Sequence, residues 1–343
     1  MSAPLPPLEA GPIDVHSHIV PEALLSRIAA ANREGFSVET VEGGRRRVTL
    51  GGRVLNPPLM PAMTDMALRL ADMDKQGVTA QILSPWVQLC GIGLNAEDAA
   101  WVVEATNAEI AAVVRGRPGR FRGFGGVPLQ HPDVAVEALR RAMAVHGMLG
   151  VEGSTTPKAD LFLDDPSLEP FWGEAEKLGA IVMLHPPQSP ATGAFSRFYM
   201  QNLVLNPIET TVAGAHLIFG GVMERHPDLT VLLVHGGGFL PYNLGRLRRG
   251  HKMRAETKGA LQGTVEDSFR RFVIDTVTHS ASGLAYLYGE AGENKVVLGT
   301  DYPFDMADPD PVGTLRDAGL PAADTQRVLE DNTAALIAAV ERR

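Results

Sequence analysis

Cys90 is the only cysteine in the 343 residues of this chain. No intrachain disulfide can form, and the sequence suits a reducing compartment. Long hydrophobic runs are missing as well, since no stretch approaches the ~20 apolar residues that a membrane helix needs. The opening Met1-Ser2-Ala3-Pro4-Leu5-Pro6-Pro7 lacks the basic start and apolar stretch of a secretory leader. These absences point to a cytoplasmic protein with no membrane partner. Positive charge is not in excess either. A net charge of −9 gives no general attraction to phosphate backbones, which argues against nucleic acid as a partner. No Gly-x-Ser-x-Gly elbow is present and Cys90 has no evident activating neighbour, so covalent acyl transfer is poorly supported. No Gly-x-Gly-x-x-Gly opens a helix after a strand, so no dinucleotide is implied.

What is present is a globular composition, 45% hydrophobic with mean hydropathy near zero, able to bury a large core. Apolar runs recur as strand candidates: Ile13 to His18, then Ala80–Trp86, Phe121–Leu129, Met148–Ser154, Ala180–Pro187, Leu229–Gly238, Phe272–Val277 and Lys295–Pro303. They are continuous rather than alternating, as parallel strands buried on both faces should be. Segments of helical period lie between them, over Met63–Gln76, Ala96–Arg115, Val134–Val145, Leu168–Leu178 and Pro207–Arg225, with a closing helix at Thr325–Val340. Pro166-Ser167-Leu168 marks a helix start and Gly179 a stop. Eightfold alternation of this kind predicts an α/β fold, a (β/α)8 TIM barrel occupying 1–343 as one domain. Residues 20–61 interrupt the alternation. Gly43-Gly44 between alternating runs predicts a small β-hairpin insertion after strand 1, above the functional face. The Pro/Gly/Ser-rich loop 186–206 is a second candidate lid.

Four of the strands end in a residue that can ligate a metal. His16 and His18, two apart on the first strand, point the same way. His185 ends the fifth, His235 the sixth and Asp301 the eighth. Imidazole and carboxylate converging at strand C-termini are the expected set for zinc or another divalent transition metal in a catalytic site. A single histidine on an apolar strand is more often a satisfied core residue, so the weight lies in the combination. His131, His146, His216 and His226 fall in or beside helices, where packing or solvated roles are expected. His251 reads as a surface residue, whereas His279 follows strand seven on the functional face. Glu152, at the end of strand four, could bridge a second metal, but without a lysine to carboxylate one metal is favoured over two. Gly236-Gly237-Gly238 either lets backbone approach the site or simply turns the chain.

The motifs His16-Ser17-His18, His185-Pro186, His235-Gly236-Gly237-Gly238 and Gly299-Thr300-Asp301-Tyr302-Pro303-Phe304 resemble the amidohydrolase superfamily. The branch is that of 2-amino-3-carboxymuconate-6-semialdehyde decarboxylase. Met73 to Thr79, Gly220-Gly221-Val222 and the stretch from Gly245-Arg246 through Met253-Arg254 extend the likeness over nearly the whole chain. The resemblance implies zinc, with manganese possible, on His16, His18, His185 and Asp301. It implies His235 as the acid/base acting on metal-bound water, and a homodimer in which arginines matching Arg246 and Arg254 reach the neighbouring site. Two positions depart from it. Asn56 stands where the family decarboxylase has a carboxylate-gripping arginine, with Arg53 close by as a substitute, and Tyr199 replaces a family tryptophan. Arg53, Tyr199 and Arg254 are therefore the candidate substrate contacts. The expected activity is non-oxidative decarboxylation of a small unsaturated or aromatic carboxylic acid. The alternative is a hydrolase or hydratase using the same metal on a C–C, amide or C=C bond. A non-catalytic binding barrel would require a degraded ligand set, and here every ligand is present.

Overall fold

The computed structural model describes residues 5–189 and 191–343. Eight parallel strands run Ile13–Ile19, Ala80–Pro85, Phe121–Gly126, Gly150–Ser154, Ile181–His185, Thr230–Leu233, Val273–Asp275 and Val296–Val297. They hydrogen-bond in chain order. Ser17 bridges Tyr302 in parallel, and Val15 N–H donates to the Leu298 carbonyl (2.9 Å) while Asp301 N–H donates to that of His16 (2.8 Å). These bonds join the end of the chain to its beginning and close the barrel. The first five strands are buried at every position, which is why they read as continuous apolar runs.

The sixth and eighth strands fall furthest short of their apolar runs, and in both a left-handed turn ends the extended backbone. After Leu233 the chain curls through Gly236, Gly237 and Gly238, at φ 62°, 72° and 63°. A Cβ on Gly238 would strike the Pro207 carbonyl oxygen, so this turn both requires glycine and brings two loops together. After Val297, Leu298 N–H donates to Val328 of the closing segment, and Asp301 lies at φ 64°. The expected helix over Pro207–Arg225 divides into Asn206–Phe219 and Val222–Arg225, because Gly221 takes φ 70° between them. The 66–76 helix begins where Asp65 accepts from the Ala67 and Leu68 amides, and stops at left-handed Gly77.

The insertion after the first strand carries one strand more than a hairpin. Ser37–Thr40, Arg46–Leu50 and Arg53–Val54 form an antiparallel sheet, with Gly51 and Gly52 at positive φ turning the chain into the third strand. Val48 and Leu50 are buried in the main core, and Phe36 meets Trp101 edge to face. At the N-terminal end of the barrel, Val15, Ile82, Phe124, Ile181, Leu232, Val273 and Val297 fill the axis beneath Thr333 and Leu336, a packed floor rather than a pore.

Candidate metal centre

His16 and His18 lie side by side although the strand register shifts between Asp14 and Ser17. Their Nε2 atoms are 3.1 Å apart, and Asp301 Oδ1 lies 3.3 Å from each. His185 Nε2 is 3.9 Å from the same oxygen. Four donors held ~2.1 Å from one ion in a tetrahedron lie ~3.4 Å from one another, which is the scale observed. His235 Nε2 instead faces the other carboxylate oxygen, Oδ2, at 3.5 Å.

Each of three histidines has its second ring nitrogen fixed. His16 Nδ1 donates to Asp275 Oδ2 (2.6 Å), His18 Nδ1 to the Pro85 carbonyl (2.8 Å) and His185 Nδ1 to the Pro186 carbonyl (2.9 Å). A carbonyl can only accept, so His18 and His185 carry their protons on Nδ1, and the Asp275 carboxylate sets the same tautomer on His16. Their Nε2 atoms then all turn toward one carboxylate oxygen, an arrangement that calls for a proton or a cation between them. Metal-binding histidines are oriented in just this way. His235 differs, because its Nδ1 has no partner among the described residues. All four donor groups of His16, His185, His235 and Asp301 also fall within 4.8 Å of one another, so proximity alone would admit His235 as a ligand in place of His18. The fixed nitrogens and the separate Asp301 oxygens favour His18.

The electrostatics agree. Burial pushes the His185 imidazole down to about 3, keeping it neutral. Burial also opposes charge on His16, but Asp301 and Asp275 outweigh it and carry that imidazole up to about 10; a proton here does what a metal would do. Burial works against ionised Asp301 too, yet His16 and its neighbours hold the carboxyl well below the usual range. Glu152 stands outside the donor set. Its Oε2 is 3.7 Å from His18 Nδ1, the nitrogen turned away from the cluster, and burial pushes its carboxyl well above the usual range. The residues present fit one divalent ion on three histidines and an aspartate.

Three supporting residues escaped the sequence reading. Asp275 receives His16 Nδ1 and the amides of His235 (3.1 Å), Gly236 (2.8 Å) and Val277 (3.1 Å), tying the first strand to the sixth and seventh. Asp14 accepts from Thr300 Oγ1 (2.7 Å), Thr300 N (3.0 Å) and Gln81 Nε2 (3.0 Å); burial pushes its carboxyl up to about 6 against those bonds. Arg69 is fully buried, donates to the His18 carbonyl and to Gln81 Oε1, and lies over the Tyr302 ring. An ionisable residue inside an apolar run was the available signal for Asp14 and Asp275; Arg69 carried none.

Beside the centre opens a cavity of about 390 Å³ whose wall includes His235, Asp301, Phe239, Tyr242, His279 and Tyr286. None of the three expected substrate contacts lines it. Arg53 lines a separate cleft with Lys158 and Gln188. Tyr199 is half-exposed and donates its hydroxyl to Asp305 Oδ1 (3.0 Å). Arg254 is exposed and pairs with Glu256 (2.6 Å).

The amidohydrolase family model matches residues 13–338, and the chain belongs to that family. It is 31% identical over 299 residues to the 2-amino-3-carboxymuconate-6-semialdehyde decarboxylase of Dictyostelium discoideum, covering 86% of this chain and 82% of the relative. It is 31% identical over 260 residues to the gamma-resorcylate decarboxylase of Rhodococcus jostii, covering 69% and 77%. Among solved structures, the 5-carboxyvanillate decarboxylase of Sphingomonas paucimobilis superposes with a TM-score of 0.77 at 25% identity, over 95% of this chain and 98% of the other.

Proposed function

We propose that this chain is a metal-dependent, non-oxidative decarboxylase of a small unsaturated or aromatic carboxylic acid. The observation that carries the reading is the set of three Nε2 atoms converging on Asp301 Oδ1, with their Nδ1 atoms held by other groups. The decarboxylase relatives support it from outside the molecule. His16, His18, His185 and Asp301 would hold the ion. We assign zinc to the site, with manganese as the alternative; a related Polaromonas decarboxylase has bound manganese. When bound, the ion supplies Lewis-acid polarisation of a substrate oxygen.

His235 has the freedom that the other histidines lack. Its backbone amide is anchored on Asp275, while its ring has no partner at Nδ1 among the described residues and its Nε2 faces Asp301 Oδ2 at the edge of the cavity. It would deliver a proton to the carbon from which carbon dioxide departs, replacing the C–C bond by C–H, and recover it from solvent. Leu287 and Met306 in the cavity wall would restrict water around that carbon.

The same wall supports a homodimer. Leu203, Phe239, Tyr242 and Tyr286 form an exposed apolar rim with Tyr242 stacked on Tyr286, and the helix bearing Tyr242 runs Leu240–Met253 up to Arg254. In this reading a second copy covers the rim and Arg254 enters its partner's cavity to grip a carboxylate. Mixing Arg254→Ala with His235→Ala protein should then restore activity; confirmed subunit exchange without recovery would remove Arg254 from the site. The single buried thiol, Cys90, suits the cytosol. The reaction is tested by supplying carboxylated muconate semialdehydes and hydroxybenzoates to zinc- and manganese-loaded enzyme. Carbon dioxide release is expected. Incorporation of labelled water without carbon dioxide would make the protein a hydrolase or hydratase instead.

A further inference from the structure

Among the described non-glycine residues with positive φ, three line one cavity: His235 at 57°, Asp301 at 64° and His279 at 51°. Left-handed backbone is unfavourable for a side chain with a Cβ and persists where surrounding structure enforces it, often at functional sites. Two of the three already have roles in the centre. His279 does not, and its turn is firmly built. Thr278 N–H donates to the Thr276 carbonyl (2.7 Å), Thr278 Oγ1 donates to the Ser280 carbonyl (3.0 Å), and Ser280 Oγ receives the Gly283 amide (3.1 Å) at the start of the 281–291 helix. The backbone of His279, an exposed residue, is thus held at a fixed corner of the cavity wall, on the loop after the seventh strand. No lysine or arginine of this chain lines the cavity among the described residues. Among the described residues, apart from His235 at the centre itself, His279 is the only imidazole or cation of a wall whose other donor side chains are neutral amides and hydroxyls such as Asn202, Thr278 and Tyr286.

We infer that His279 is a specificity-determining residue. It hydrogen-bonds an oxygen substituent on the substrate, hydroxyl or carbonyl, on the side away from the reacting carboxylate. This rests on the proposed function for its choice of ligand class but not on turnover. A neutral hydrogen bond of this kind contributes about 1 kcal/mol, enough to prefer one ring substitution over another roughly fivefold to tenfold.

The test is calorimetric binding of benzoate, 3-hydroxybenzoate and 4-hydroxybenzoate to metal-loaded protein. One hydroxylated isomer should bind wild type roughly 5–10 times more tightly than benzoate. His279→Gly relaxes the backbone and His279→Asn tolerates the same left-handed conformation, so neither should disturb the fold. In His279→Gly the preference should fall to within about twofold and in His279→Asn, which keeps a shorter N–H donor, to an intermediate value, while benzoate affinity and metal content stay unchanged in both. A merely structural residue would weaken all three ligands together, leaving their ratio intact. An unchanged ratio in the variants, or no preference among the acids in wild type, would overturn the inference. Failure of the decarboxylase reading would show separately, as absent carbon dioxide release with this binding pattern preserved.

Discussion

At the floor of the barrel Val15, Ile181, Leu232, Val273 and Val297 meet in an apolar plug; a few residues further along the same strands, His16, His185, His235, Asp275 and Asp301 meet in a buried polar cluster. The floor is closed and the mouth is buried except where the cavity opens beside it, and their stability arises differently. Floor residues need only matching volume, and each buried aliphatic side chain contributes about 1.5–3 kcal/mol. Groups at the mouth would each be costly to bury alone, so all but His235 Nδ1 are tied to a partner or face a place for a cation. Floor contacts are therefore replaceable by shape, whereas contacts at the mouth are specific to the atom.

The sharpest way to break this contrast is Asp301→Ala. Without the oxygen that faces three imidazoles, the protein should fold but retain no stoichiometric metal by elemental analysis and show only background turnover. Full occupancy would mean that the carboxylate is not a ligand. Ile181→Ala at the floor should act in the opposite sense. It should lower unfolding free energy by about 2–5 kcal/mol in denaturant titrations while leaving metal affinity unchanged; altered metal affinity would show that floor and mouth are coupled. Asp275→Asn should have a smaller effect, since it keeps the shape but loses the carboxylate that orients His16 and the His235 loop. Metal affinity should fall about 10–100-fold, and an unchanged value in chelator competition would show that Asp275 only braces the loop.

The barrel was readable because its strands are buried on both faces and leave uninterrupted apolar runs. The candidate ligands His16, His18, His185 and Asp301 stand out in the sequence because they lie at the ends of those runs. Strand ends were less legible. The sixth and eighth runs continue in apolar or small residues past the point where Gly236 and Asp301 turn left-handed, and backbone handedness leaves little trace in hydrophobicity. The third strand of the insertion was missed because Arg53–Val54 is two residues long and exposed. Substrate contacts were the least legible part. Arg53 lies close in sequence to the position expected to grip a carboxylate but faces another cleft, since alternation along a short strand decides which way a side chain points.

His18 and His235 differ most at Nδ1, fixed on the Pro85 carbonyl in His18 and without a partner among the described residues in His235. Metal content per chain, measured in parallel for His18→Ala and His235→Ala, separates them. The prediction is that His18→Ala loses its ion, while His235→Ala keeps a full complement and loses about 10²–10⁴ in rate. An ion retained in His18→Ala and lost in His235→Ala would make His235 a ligand, and would contradict both the assignment of the centre and the proton path built on it.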